Sequence, residues 1–262
     1  MFSWFLRMDP QVTVVNGSPR HVVDAHPEPM AEIRERGDPL GLHVHGWRRR
    51  PGRGWIDDYS DRVWVDECID TSFAAFTEAL GVPCRLSRTG SRFFDAETAD
   101  RLRVVGTVVD LSLEPANDRV ASGGRPTIDG DLPDARRTPR ASHRLDSGLI
   151  ELPLSASSRR KGWRPRRHLS RMRHHGLAER LDLAVQMARN TGPHDSFGAQ
   201  VERTLRRQRR PYLAYALRSD GLLDPDKGRR IEVQMQELIA IAGRRGAAFV
   251  GPEEALEALA FT

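Results

Sequence analysis

Short apolar runs of strand length alternate with longer stretches of helical spacing along most of this 262-residue chain. The strand-like runs are 3–7, 40–45, 84–88, 107–111, 149–152, 212–217 and 247–250. Between them, 27–36, 66–80 and 96–105 read as helices, with Phe73, Phe76 and Leu80 on one face of the second. Gly37, Gly81 and Gly106 follow these helices as stop signals. Helical spacing returns at 200–208 and 226–243, where Ile231, Met235, Leu238, Ile239 and Ala242 form an apolar stripe. After the last strand, Gly251-Pro252-Glu253-Glu254 opens a closing helix with proline and acids in its first turn. Alternation of this kind predicts an α/β fold with a parallel sheet wrapped by helices, and seven strands predict a closed or nearly closed barrel filling a single domain, 1–262. No internal repeat is visible.

Two stretches break the pattern. Residues 117–147 hold Gly123-Gly124, Pro126, Pro133 and Pro139 among many charges, without periodicity, and predict a long loop. Residues 155–175 contain the densest basic run, Arg159-Arg160-Lys161-Gly162-Trp163-Arg164-Pro165-Arg166-Arg167, and predict a solvated surface excursion. The formal charge is +5, and 39 of the 41 basic residues are arginine. The excess is local: 135–211 holds 19 basic residues against 6 acids, so the rest of the chain is net acidic. A global nucleic-acid field is thereby excluded, and nucleic acid ranks last among partners.

Composition narrows the class further. Hydrophobic residues make up 39% and charged residues 29%, as in globular proteins. No apolar run approaches the roughly 20 residues that cross a membrane. The amino-terminal run ends at Arg7, too short for a secretory signal, so a cytoplasmic protein is expected. Cys68 and Cys84 are the only cysteines, which argues against a disulfide framework or a cysteine zinc site; any metal would be held by histidine and carboxylate.

The richest tract for chemistry is Leu40-Gly41-Leu42-His43-Val44-His45-Gly46-Trp47. Residues two apart on a strand point to the same side, so His43 and His45 can offer two imidazoles to one metal ion at the strand's C-terminal end, where α/β barrels keep their sites. Two ordinary histidines at a strand exit are the plainer alternative. Arg88 stands where a strand enters the turn Thr89-Gly90-Ser91 and can orient a carboxylate; otherwise it is a surface cation. Asp110 follows Val108-Val109, and a carboxylate there is either at the strand mouth or paired.

The order of these segments resembles the polysaccharide deacetylase, or NodB-homology, superfamily and its carbohydrate esterase family four relatives. The likeness runs from Trp4-Phe5-Leu6-Arg7 through Gly41-Leu42-His43-Val44-His45, Arg88-Thr89-Gly90-Ser91-Arg92 and Asp110-Leu111-Ser112-Leu113-Glu114-Pro115 to Phe249-Val250-Gly251-Pro252-Glu253-Glu254. It implies an irregular (β/α)7 barrel of bacterial carbohydrate metabolism. A divalent metal, zinc, would be held by one aspartate and two histidines and would activate water against an N-acetyl or related amide. His43 matches the first metal histidine, and His45 substitutes for the second because Trp47 occupies the usual place. Arg88 matches the arginine that positions the catalytic aspartate, and Asp110 falls in the following motif. The acid-bearing first strand is expected upstream of Ser3, leaving the barrel incomplete at its N-terminus, and no histidine after His194 supplies the general acid.

The leading expectation is therefore a metal-dependent deacetylase-like hydrolase acting on a carbohydrate or another small acetylated substrate, truncated or inactive as written. Its rival is a noncatalytic barrel serving as a binding or scaffold module. A phosphate-backbone contact through 159–173 comes third because the run has one aromatic and no binding fold. Another metallohydrolase barrel would need further strand-end histidines that the late strands lack.

Overall fold

The structure is a computed structural model describing residues 2–115, 127–133, 135, 138–155, 197–206, 212–217, 222–259 and 261. It divides into two compact units, Met1–Pro153 with Phe249–Thr262, and Leu154–Ala248.

The larger unit is built on a six-stranded sheet. Its strands are β1 (Trp4–Leu6), β2 (Leu40–Leu42), β5 (Leu86–Ser87), β6 (Val109–Asp110), β9 (Ile150–Glu151) and β8 (His143–Arg144), in that spatial order. The first five are parallel, and β8 alone runs antiparallel, beside β9. Register aligns Leu6 with Leu42, Leu42 with Ser87, Ser87 with Asp110, and Asp110 with Glu151. The ladder continues one residue further, where the amides of His43, Arg88 and Leu111 donate to Leu6, Leu42 and Ser87 carbonyls at 2.8, 2.9 and 3.0 Å. His43, Arg88 and Asp110 therefore share the sheet's C-terminal end.

Helices α1 (Pro10–Asn16), α2 (His21–Asp24) and α3 (Pro27–Glu35) join β1 to β2. Helix α4 (Arg62–Leu80) leads to β5, α5 (Ala96–Val104) leads to β6, and α8 (Pro252–Ala258) closes the unit. As its spacing predicts, α4 buries Phe73, Phe76 and Leu80 in a core shared with Met8, Leu42, Leu102 and Leu149. Full burial of a side chain such as Phe76 or Leu42 contributes about 1.5–3 kcal/mol. Asp61 caps α4 by accepting from the Trp64 amide at 3.2 Å, and Gly81 ends it in the left-handed region, φ +71°.

A second, three-stranded sheet is formed by β3 (Trp47–Arg50), β4 (Gly54–Asp58) and β7 (Ile128–Asp129), with β3 and β4 antiparallel. The expected chain path has no hairpin here, because Arg48-Arg49-Arg50 hides the alternation. Asp58 organises it: fully buried, it accepts from Arg48 at 2.8 and 2.5 Å and from Arg50 at 2.8 Å. Arg48 reaches on to Asp61 at 2.9 Å and lies over the Trp64 ring, 5.3 Å from its centre, so the hairpin is pinned to the start of α4.

In the smaller unit, α6 (Phe197–Arg206) and α7 (Pro225–Arg245) bury Val201, Leu238 and Ile241 together. The buried face of α7 runs through Gln234, Leu238 and Ile241; Ile239, placed on the expected stripe, is 57% exposed. Residues 212–217 form no strand. Leu213 and Tyr215 pack on the helix pair instead, and the Tyr215 hydroxyl donates to Gln234 Oε1 at 2.5 Å. Residues 247–250 form none either, and Phe249 and Val250, where the chain re-enters the larger unit, are about half exposed. The expected loop at 117–147 contains β7 and β8 where it is described. The basic run from Arg159 lies outside the described residues. No described helix is long and apolar enough to cross a membrane.

Candidate functional site

Three parallel strands deliver the site's polar groups to one edge. Two residues beyond the end of β1, the chain passes through Met8 into Asp9, whose side chain is fully buried. Arg7 grips this carboxylate from both sides, Nε to Oδ2 at 2.9 Å and Nη2 to Oδ1 at 2.8 Å, and also donates to Gln11. Asp9 Oδ2 in turn accepts the His45 amide at 3.4 Å. β1 lies directly beside the histidine-bearing strand β2, and Asp9 follows β1 by three residues. A strand run leading to Asp-Pro at a helix start was the available signal.

His43 and His45 stand together, ring centres 4.8 Å apart and edge to face. His43 Nδ1 lies 2.7 Å from the Arg88 carbonyl oxygen, which fixes the proton on Nδ1 and leaves the lone pair on Nε2. Burial, followed by the charges of His45 and Arg88, holds the His43 pKa well below the ordinary imidazole value, so the ring is neutral at physiological pH. A neutral imidazole with its second nitrogen tied to a carbonyl has the chemistry of a metal donor or a proton acceptor.

His45 is held differently. Its Nδ1 is 2.9 Å from Asp57 Oδ2 and 2.9 Å from the Trp47 indole nitrogen. Asp57, fully buried on β4, also accepts from the Ser91 hydroxyl, while its Oδ1 has no hydrogen-bond partner among the described residues. Ser91 and Arg92 adopt left-handed φ values of +49° and +66°, a local strain that aims Ser91 at Asp57. Tyr59 stacks on Phe93 at 4.0 Å and donates to the Gly90 carbonyl at 3.2 Å. Burial, then the Asp57 charge, raises the Tyr59 pKa well above the usual phenol value. The hairpin residues Asp57 and Tyr59 escaped the sequence reading because the hairpin itself did.

Arg88 reaches Glu114 at 3.4 Å. Asp110 is bonded away from the histidines: it accepts from the Ser87 hydroxyl and from the Ser112 amide at 2.8 Å, and it pairs in register with Glu151. The structure therefore brings Arg88, His43 and His45 together with Asp9 and Asp57, and places Asp110 one residue back along the ladder. Asp9, His43 and His45 match a zinc site in donor type, but Asp9 is paired with Arg7 and His45 with Asp57. Among the described residues, no three His, Cys, Asp or Glu side chains are grouped as a metal ion requires.

No protein-family model matches the chain, and no curated protein matches it. Among solved structures, the chain is similar to one described as "Crystal structure of putative polysaccharide deacetylase from Mycobacterium smegmatis". The two are 15% identical, the match covers 76% of this chain and 73% of that one, and the TM-score is 0.34. A score of that size does not establish a shared fold.

Proposed function

We propose that the chain is a polysaccharide deacetylase-like, metal-dependent hydrolase, built on an irregular (β/α)7 barrel, that cleaves the amide C–N bond of an N-acetylated carbohydrate or another small acetylated substrate. The observation behind this reading is His43: neutral, locked by the Arg88 carbonyl, and placed with His45 and Asp9 at the C-terminal end of a parallel sheet. Water adds to the amide carbonyl, and the C–N bond breaks to give acetate and an amine. His43 and His45 would supply two imidazole donors to a zinc ion, which when bound would polarise the carbonyl and activate that water. Arg7 holds the Asp9 carboxylate in place through paired hydrogen bonds, and Arg88 orients a carboxylate beside the reacting carbonyl, a task its contact with Glu114 suits. Asp110 supports the strand end from behind.

A second reading, a noncatalytic barrel serving as a binding or scaffold module, is favoured by the mutual pairing of Arg7 with Asp9 and of Asp57 with His45, which engages these side chains with one another. Calorimetric zinc titration and acetate release from acetylated oligosaccharides separate the two. The hydrolase reading expects zinc-dependent acetate release that is lost in His43→Ala and Asp9→Ala. Saturable oligosaccharide binding with no acetate release at any zinc concentration would decide for the module.

A further inference from the structure

A donor, the Trp47 indole N–H, and an acceptor, the Asp57 carboxylate, compete for one nitrogen at His45. Nδ1 can either carry a proton and donate it to Asp57 Oδ2, or keep its lone pair and accept the Trp47 indole N–H; both atoms stand at 2.9 Å, and one nitrogen cannot do both. If Nδ1 kept its lone pair, that lone pair would face a carboxylate oxygen at 2.9 Å inside the protein, two acceptors in contact with no proton between them. If Nδ1 carries the proton, Asp57 gains a charge-assisted bond, roughly twice as strong as a neutral one, and Trp47 loses an ordinary bond at a partly exposed position. Asp57 gains from that donor: it is fully buried, and Ser91 donates to Oδ2 while Oδ1 has no hydrogen-bond partner among the described residues.

We infer that Asp57 is a positioning residue that fixes His45 in the tautomer with its proton on Nδ1, leaving Nε2 as the ring nitrogen able to take a proton or a metal ion. Ser91 secures Asp57 in that role, held by its left-handed backbone. His43 is locked in the same tautomer by the Arg88 carbonyl, so both rings present the same nitrogen. This inference deepens the hydrolase reading, because His45 belongs to its site, but it stands or falls on the ring and not on turnover.

The test is nitrogen-15 NMR of the full chain labelled in histidine, recorded without metal above pH ~8, where an ordinary imidazole is neutral. His45 is assigned through the signals lost in His45→Ala. The expected wild-type spectrum has a protonated-type Nδ1 and an unprotonated-type Nε2 for His45. Asp57→Leu, which cannot accept from Nδ1, should leave Nδ1 to the Trp47 indole N–H and exchange the two positions. An unprotonated-type Nδ1 in the wild type, or an Asp57→Leu spectrum with the original tautomer, overturns the inference. Should Asp57→Leu fail to fold, the wild type decides with Trp47→Phe: a protonated-type Nδ1 in both is expected, and an Nδ1 that is unprotonated in the wild type and protonated in Trp47→Phe would make Trp47 the determinant. Exchange of the tautomer in a chain that releases no acetate would leave the inference standing and remove the hydrolase reading.

Discussion

Asp110 and Glu151 are paired in register on neighbouring parallel strands, and neither exposes any surface. Asp110 has two donors, the Ser87 hydroxyl and the Ser112 amide, whereas Glu151 has the Leu113 amide at 2.9 Å on Oε1 and no hydrogen-bond partner for Oε2 among the described residues. Two adjacent buried carboxyls cannot both ionise cheaply. Burial raises both pKa values, and the charge of Asp110 pushes Glu151 further, well above the usual carboxyl range. Glu151 is the member that keeps the proton.

Stability should therefore fall as pH rises. A carboxyl whose pKa is raised on folding contributes stability that is complete below its unfolded pKa, about 4.3 for glutamate, and lost as pH climbs through the folded value. Glu151→Gln keeps the shape and removes the charge. Urea denaturation should show the variant equal to the wild type near pH 4 and more stable by about 1–3 kcal/mol near pH 8, the scale of a buried polar group relieved of a mismatch. A variant less stable than the wild type near pH 8 would contradict the assignment.

Asp58 predicts the opposite slope at acid pH. Burial tends to raise its pKa, but hydrogen bonds from Ser60, Arg50 and Arg48 outweigh that and hold it at about 2. A depressed folded pKa means stability present above the unfolded value, about 3.9, and lost as pH falls toward 2, amounting to of order 2 kcal/mol. In Asp58→Asn this acid-side loss should vanish, and stability at neutral pH should drop by about 3 kcal/mol as Arg48 loses its buried partner. Denaturant midpoints between pH 2 and 7 check both. An unchanged acid slope in Asp58→Asn would place the titration elsewhere.

The parts of the fold legible in sequence were those where apolar spacing governs. α4 buries Phe73, Phe76 and Leu80 as their spacing requires, and β1, β2, β5, β6 and β9 fall inside the apolar runs marked for them. What escaped is set by charge. In β3 and β4, alternation is masked because Arg48 and Arg50 serve a buried acid, so the hairpin that supplies Asp57 could not be read from hydrophobicity. Residues 212–217 have strand composition, but the partner they find is a helix pair, a choice made by tertiary packing. His43, His45 and Arg88 were legible as strand-end residues. Glu151 was not, since an acid in an apolar context is recognisable only once its partner, Asp110, is beside it, whereas Asp9 was marked only by the Asp-Pro that opens α1.

Gly90 is the position where the site's packing can be tested by one carbon atom. A Cβ there would stand 2.2 Å from His45 Cε1 and 2.3 Å from both ring nitrogens. The backbone is anchored: the Gly90 amide donates to the Val44 carbonyl at 2.7 Å, and the Gly90 carbonyl accepts from Tyr59. The ring must therefore move, and any movement lengthens its contact with Asp57 or Trp47. Gly90→Ala should cost about 1–3 kcal/mol, the usual range for overpacking. Because the clash is with one side chain, the cost should depend on it. In a His45→Ala background the same substitution should cost no more than about 0.5 kcal/mol, a coupling that a double-mutant cycle of denaturation free energies measures directly. Equal costs in the two backgrounds would mean that the His45 ring does not rest on Gly90, and the placement of His45 against Asp57 would have to be redrawn.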